Sequence, residues 1–308
     1  MDRTKTFEAL ELGKPGGRID VWDPFEPLER VLVADPLAGD PQCLGSYFVF
    51  RKLEQNVRDF MIAEQRLADA MGLVPTDRQR AGAMAVGRFR DGTPLVLSST
   101  DGLLPPKDNN FRYDGLSGST ADKAALRCPL QAHIRKTNPR GDVFQQFGGS
   151  SDEVANERRR RIARRGIAYG KRNRKPNTFQ ALDDLPSEGV RLLFMCFQAS
   201  IRGQFAFLQR TWANNIAFAK QGGGVGLDPL IGQLDAENGV KTTGIPQQWK
   251  PRWGKSGTPA SFSFSGFVTM KGGEFFFAPS IPYLKKFAKT HAPEPRLAAF
   301  AGLPGVST

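Results

Sequence analysis

Residues 45–72, GSYFVFRKLEQNVRDFMIAEQRLADAMG, set the pattern from which the fold is read. The aromatic and β-branched residues between Gly45 and Leu53 favour a strand. Asn56 is a residue type that caps helix N-termini. Val57, Phe60, Met61, Leu67 and Met71 then form an apolar helical face that stops at Gly72. The unit is a strand followed by an amphipathic helix, and similar elements return downstream. Arg161 to Tyr169 and Val190 to Gln198 read as strands, and Ser200 is placed to cap a helix with Ile201, Phe205, Leu208 and Trp212 on one face. Phe267 to Met270 and Phe275 to Phe277 flank Lys271-Gly272-Gly273, whose glycines suit a hairpin turn. Two such halves can bury one sheet face beneath both helices. The expected fold is therefore α+β, a ferredoxin-like antiparallel sheet with helices on one face.

Residues 1–42 read as a connector with one short strand at Arg30 to Val33, and 43–308 as the folded domain. An insertion at about 73–157 interrupts that domain. There Pro105-Pro106, Gly115 to Gly118 and Gly148-Gly149 mark long loops, which are uncommon unless they carry function. With 308 residues, 43 Lys+Arg against 31 Asp+Glu, a net charge of +12 and 40% hydrophobic residues, the chain has the composition of a soluble globular protein. Cys43, Cys128 and Cys196 are too few and too scattered for a disulfide framework or a zinc knuckle, which suggests a reducing compartment. The longest apolar run, Leu192 to Phe197, is far shorter than the roughly 20 residues that cross a bilayer, and the N-terminus has no apolar signal region. The expectation is a cytoplasmic protein without a membrane partner. No internal repeat is visible.

There are two histidines, so imidazole chemistry must use His133 or His291. His291 lies in a tail-like KTHAPEP stretch, which makes His133 the better candidate for acid–base or metal chemistry. Ten basic residues lie between Arg158 and Lys175: Arg158, Arg159, Arg160, Arg161, Arg164, Arg165, Lys171, Arg172, Arg174 and Lys175. They suit phosphate backbones, a solvated face or a carboxylate-binding site, since guanidinium forks pair with carboxylates at two points. The cluster runs into what reads as a buried strand, and the nearby aromatics follow core spacing, which argues against nucleic acid. Cys128 and Cys196 read as buried thiols. Gly222-Gly223-Gly224 lacks the ending of a phosphate loop and follows a helix, so it reads as plain loop.

Taken together, GSYFVFRKLEQNV (45–57), CPLQAHIRKTNPRGD (128–142), RIARRGIAYG (161–170), RLLFMCFQ with QFAFLQRTWANN (191–215), GLDPLIG (226–232) and FVTMKGGEFFFAPS (267–280) resemble the dye-decolourising peroxidases. The segments follow the family's order and cover nearly the whole chain, matching the second half of larger-insertion members. Family members have two ferredoxin-like domains of the dimeric α+β barrel type, with haem in the second. The resemblance implies one haem b per chain, hydrogen peroxide as oxidant and an organic electron donor. It implies His133 as the haem-iron ligand, Asp228 as the acceptor that orients it, and Arg164 as the distal arginine. It places Leu192 and Phe194 along the distal side, with some of Arg135, Arg140 and Arg210 reaching the haem propionates. Trp212 and Tyr169 are candidate electron relays, for which core packing is the simpler role.

One departure qualifies the resemblance. Family members carry a G-x-x-D-G segment before the GSYFVFRKL strand, and its Asp moves a proton between the peroxide oxygens. The nearest look-alike here, Gly87-Arg88-Phe89-Arg90-Asp91-Gly92, has one residue too many and lies after that strand. That role is therefore not carried onto Asp91. The chain reads as a member missing its first domain, with slowed turnover and an exposed apolar sheet face that a homodimer or a separate N-terminal half would cover. A haem-binding module without turnover is the alternative function, and a polyanion or nucleic-acid binder the third.

Overall fold

The computed structural model describes residues 26–103, 111–114, 122–143, 156–170, 181–220, 224–233 and 246–291. The connector before residue 26, the loop marks at 105–106, 115–118 and 148–149, the basic residues at 171–175, and Gly222-Gly223 lie outside them.

The helical elements are α1 (Glu26–Glu29), α2 (Val57–Ala70), α3 (Gln79–Val86), α4 (His133–Thr137), α5 (an α-turn at Phe205–Phe207 running into a π-helical segment at Leu208–Ala213) and α6 (Ile281–Thr290). The strands are β1 (Val33–Ala34), β2 (Leu44–Gln55), β3 (Ala163–Tyr169), β4 (Val190–Gln198), β5 (Gln247–Trp249), β6 (Ala260–Phe262) and β7 (Val268–Ala278). The main sheet runs β7-β2-β4-β3 with every pair antiparallel, and β1 pairs the first residues of β2. That order of a strand–helix unit, two central strands and a returning strand is the ferredoxin-like α+β arrangement.

The opening strand and helix form as their residues dictate. Asn56 Oδ1 accepts from the Asp59 N–H at 3.0 Å, while Asn56 Nδ2 donates to Asp59 Oδ2 at 2.7 Å, so cap and first turn hold each other. Leu67 is fully buried in a core with Ala81, Leu95, Trp249 and Phe264. The insertion contributes to that core through α3, a helix hidden from periodicity because its buried face is built of Ala and Gly. Gly87 ends α3 at φ +97°, and a Cβ there would meet Ile134 Cγ1 at 2.2 Å. The bare backbone thus lets α4 dock beside α3.

Four expectations are corrected. Lys271-Gly272-Gly273 makes no hairpin turn, because β7 is one continuous strand: Lys52 pairs Gly272 and Leu53 pairs Met270, which leaves Lys271 as the extra residue of a bulge. The glycines serve close approach, since a Cβ on Gly273 would sit 2.8 Å from the Phe50 carbonyl oxygen. The early strand is Val33–Ala34 rather than Arg30 to Val33, because the Leu28 carbonyl accepts from Val31 and Leu32 and coils that stretch into a turn. Ser200 caps only a tight turn, through Gly203 N–H to its Oγ at 3.0 Å, and the helix starts at Phe205. Finally, β3 is an exposed edge strand from Ala163 to Ala168, not a buried one, because among the described residues β4 is its single neighbour. Burial of that strand is therefore no reason against nucleic acid.

The two faces of the sheet differ. Register puts Val49, Arg51, Cys196, Phe194, Leu192 and Arg164 on one face, where Phe205 of α5 packs 6.0 Å from the Phe194 ring. The opposite face carries Phe48 with its ring 4.8 Å from Phe197 and 6.0 Å from Phe276. Phe197, Phe276 and Ile167 are 40%, 48% and 50% exposed, so among the described residues this face is open and apolar.

Candidate functional site

The short helix α4 presents His133 at its first position, with the side chain 20% exposed. Its Nδ1 lies 2.9 Å from Asp228 Oδ2 and 3.2 Å from Oδ1. A carboxylate only accepts, so in the neutral ring Nδ1 carries the proton and Nε2 keeps its lone pair for a metal. Asp228 is fully buried, and its Oδ1 also accepts from the Leu230 and Ile231 N–H groups at 2.8 and 3.0 Å. Burial pushes its carboxyl upward, but His133 and those backbone donors outweigh it and hold the group below the usual carboxylate value. An acceptor locked in this way fixes the tautomer and orientation of a metal-binding imidazole.

The Asp228 segment is in turn anchored to its surroundings. Asp228 N–H donates to the Ala213 carbonyl at the end of α5 at 3.0 Å. Lys136, on α4, donates to the carbonyls of Asn215, Phe218 and Gly226. Burial pushes its ammonium down to about 7, and the Asp228 charge opposes that shift. Sequence reasoning passed over Lys136; its place one helical turn from His133 was the available signal.

On the sheet face that carries α5, Arg164 pairs Cys196 across the strands, with Leu192 and Phe194 on the same face of β4. Its side chain is exposed and makes no hydrogen bond or ion pair among the described residues. Gly166 lies between it and Leu192, and a Cβ there would meet Leu192 Cδ1 at 3.1 Å. The structure thus leaves a fixed cation beside two partly buried apolar side chains. Arg210 is exposed on the π-helical segment. Arg140 donates to the Phe111 carbonyl at 3.0 Å and stacks on that ring.

Arg135 is a correction. Its side chain is 1% exposed, and its guanidinium is spent inside the protein, on Asp142 through Nε and Nη2 at 2.7 Å each and on Asp122 through Nη1 at 2.9 Å. It also stacks over Tyr113 at 4.1 Å. No donor is left to face a propionate, because the two carboxylates take three of the five N–H groups and the carbonyls of Cys128 and Asp122 take the others. Replacing Arg135 by Met would strand both, so stability is expected to fall by about 3–5 kcal/mol. Urea denaturation measures the loss; a fall below about 1 kcal/mol would mean that the network does not hold this region together.

The other sequence candidates occupy structural positions. Trp212 is buried and stacked on Phe218 at 5.0 Å, and Tyr169 closes β3 half-buried. Asp91 accepts from Thr93 N–H and Gly102 N–H at 2.9 Å each, which makes it the clasp of its own loop. Within the basic cluster, Arg160 donates to the Gly203 carbonyl at 2.9 Å and lies over Phe207, so part of the cluster is packing. Cys128 and Cys196 are buried thiols pushed up to about 12 by burial.

A ferredoxin-like α+β fold that carries a carboxylate-oriented histidine defines the class of protein. No family model matches the chain. It is 47% identical over 271 residues to the multifunctional dye peroxidase DyP2 of Amycolatopsis sp., an alignment covering 87% of this chain and 54% of that protein. It is 34% identical over 249 residues to the dye-decolorizing peroxidase AauDyP1 of Auricularia auricula-judae, covering 77% and 45%. Among solved structures, DyP2 superposes with a TM-score of 0.77 at 46% identity, over 92% of this chain and 57% of that one. The DyP-type peroxidase of Anabaena sp. superposes with a TM-score of 0.71 at 41% identity, over 87% and 51%. The chain belongs to the dye-decolourising peroxidase family. It spans about half the length of the curated relatives it matches.

Proposed function

We propose that residues 43–308 form the haem-binding part of a peroxidase that takes hydrogen peroxide as oxidant and an organic molecule as donor. The observation that carries the reading is the His133–Asp228 pair, an imidazole whose Nε2 is aimed by a buried, backbone-anchored carboxylate on Nδ1. The residues fit haem: one lone-pair nitrogen on the α4 side, and a fixed cation with apolar neighbours on the sheet side. When bound, haem supplies an iron centre that exchanges electrons with peroxide and then with the donor. His133 would hold the iron, with Asp228 keeping the proton on Nδ1 and raising the ring's basicity. Arg164 offers a permanent positive charge to the anion that develops as peroxide is cleaved. Leu192 and Phe194 restrict water on that side.

The open sheet face with Phe48, Phe197 and Phe276 supports a covering partner, either a second copy or a separate N-terminal half. A second functional reading is haem binding without turnover. The experiment that decides is reconstitution of the purified chain with haem, followed by rapid mixing with hydrogen peroxide. A histidine-ligated ferric spectrum that reacts with peroxide and returns on adding donor is the expected result. A stable spectrum that peroxide leaves unchanged would favour the module without turnover, and no haem uptake would overturn both readings.

A further inference from the structure

We propose that Lys136 is a positioning residue for the His133–Asp228 pair, its ammonium group tying the helix that carries His133 to the segment that carries Asp228. The inference rests on the reading of His133 as an axial ligand. Lys136 is 1% exposed, and its Nζ donates to Asn215 O at 2.8 Å, Phe218 O at 2.6 Å and Gly226 O at 2.7 Å. An ammonium has three N–H donors, so its hydrogen-bonding capacity is filled by backbone alone. The first two carbonyls follow the end of α5, and the third lies two residues before Asp228. One cation therefore gathers both ends of the loop that delivers the carboxylate.

The placement goes beyond generic packing. Lys136 stands three residues after His133, on the same side of α4, so any slack at the ammonium is transmitted along one helical turn to the imidazole. The Asp228 N–H donates to Ala213 O at 3.0 Å, which ties the loop to the end of α5 from its own side, and the Gly226 N–H donates to Ile216 O at 2.9 Å within the loop. The lacing fixes the loop to α5. Lys136 fixes it to α4, and a 2.9 Å contact between side chains from two separate elements needs that second tie. A flexible stem with a compact three-donor head suits three convergent carbonyls, where a planar guanidinium does not.

The test uses the haem-reconstituted protein with Lys136→Met, Asp228→Asn and the double variant. Its readouts are the ferrous iron–histidine stretching frequency, the ferric/ferrous midpoint potential and haem affinity. If Lys136 holds Asp228 on His133, Lys136→Met lowers the stretching frequency and raises the potential, as Asp228→Asn does, and weakens haem binding by about 10-fold. The double variant then changes little beyond Asp228→Asn, since both act on one hydrogen bond. Loss of a positive charge alone would favour ferric iron and lower the potential, so the sign separates positioning from electrostatics. Stretching frequency and potential unchanged, or a lowered potential, in a folded variant that binds haem would overturn the inference. Should Lys136→Met not fold, Lys136→Gln, which keeps two N–H donors, carries the same comparison with a smaller shift expected. If the unsubstituted protein itself gives no histidine-ligated spectrum, the axial assignment fails and this inference with it.

Discussion

His133→Ala is expected to take up no stoichiometric, histidine-ligated haem. The chain has two histidines, and the other cannot take over the position. His291 sits at the C-terminal end of α6, exposed, stacked on Phe287 at 4.1 Å and hydrogen-bonded through Nδ1 to Thr290. Loss of a residue that merely orients a ligand typically costs about 10–100-fold in metal affinity, and loss of the ligand itself costs more. The substitution also leaves Asp228 buried without its imidazole partner, so the carboxyl loses the Nδ1–H donor that helps hold it low. Haem titration followed by absorption, with circular dichroism to verify the fold, measures the effect. Added imidazole is expected to restore part of the spectrum by occupying the vacated position. A native-like histidine-ligated spectrum in the variant without imidazole would remove His133 from the site.

The second large effect is expected from Arg164→Leu: haem affinity close to that of the parent protein and a reaction with peroxide slower by about 10²–10³-fold, the usual cost of losing one preorganised donor to a developing anion. The side chain makes no hydrogen bond or ion pair among the described residues, so removing it strands no partner and the fold should persist. Arg164→Lys keeps the charge but loses the fork, and an intermediate rate is expected. Stopped-flow mixing at several peroxide concentrations gives the second-order constant directly. Equal constants for Arg164→Leu and the parent would exclude Arg164 from the chemistry.

These predictions use residues that were legible to very different degrees. Strand β2, helix α2 and its Asn56 cap were readable because local rules and long-range packing agree there: aromatic pleat, capping side chain, apolar face. Strand β4 was readable because its apolar, strand-favouring residues run unbroken from Leu192 to Phe197. The Gly-Gly pair in β7 misled because a turn and a bulge ask for the same residue. Only the partner strand decides which one forms, and β2 runs alongside β7 past the glycines. Helix α3 escaped notice because Ala and Gly carry little hydrophobic contrast, although Gly87 then allows Ile134 to approach.

The site divides along the same line. His133, Asp228, Arg164, Leu192 and Phe194 were nominated by segments of sequence alone, without a distance between any two of them. Arg135 has the same composition-level credentials as Arg164, and no local pattern separates them. Folding buries Arg135 between Asp122 and Asp142 and leaves Arg164 on an open edge strand. Lys136 offered only its spacing from His133, since its partners are backbone carbonyls that any residue supplies. By itself, then, the sequence determined which residue types were available, the alternation and periodicity of the long elements, and the family they resemble, because these are local properties of the chain. Tertiary structure alone decided which charges are spent inside the protein, how closely Asp228 meets the histidine and, among the described residues, which sheet face stays open. Each of those outcomes depends on groups far apart in the chain meeting at hydrogen-bond distance, where desolvation and pairing set the balance.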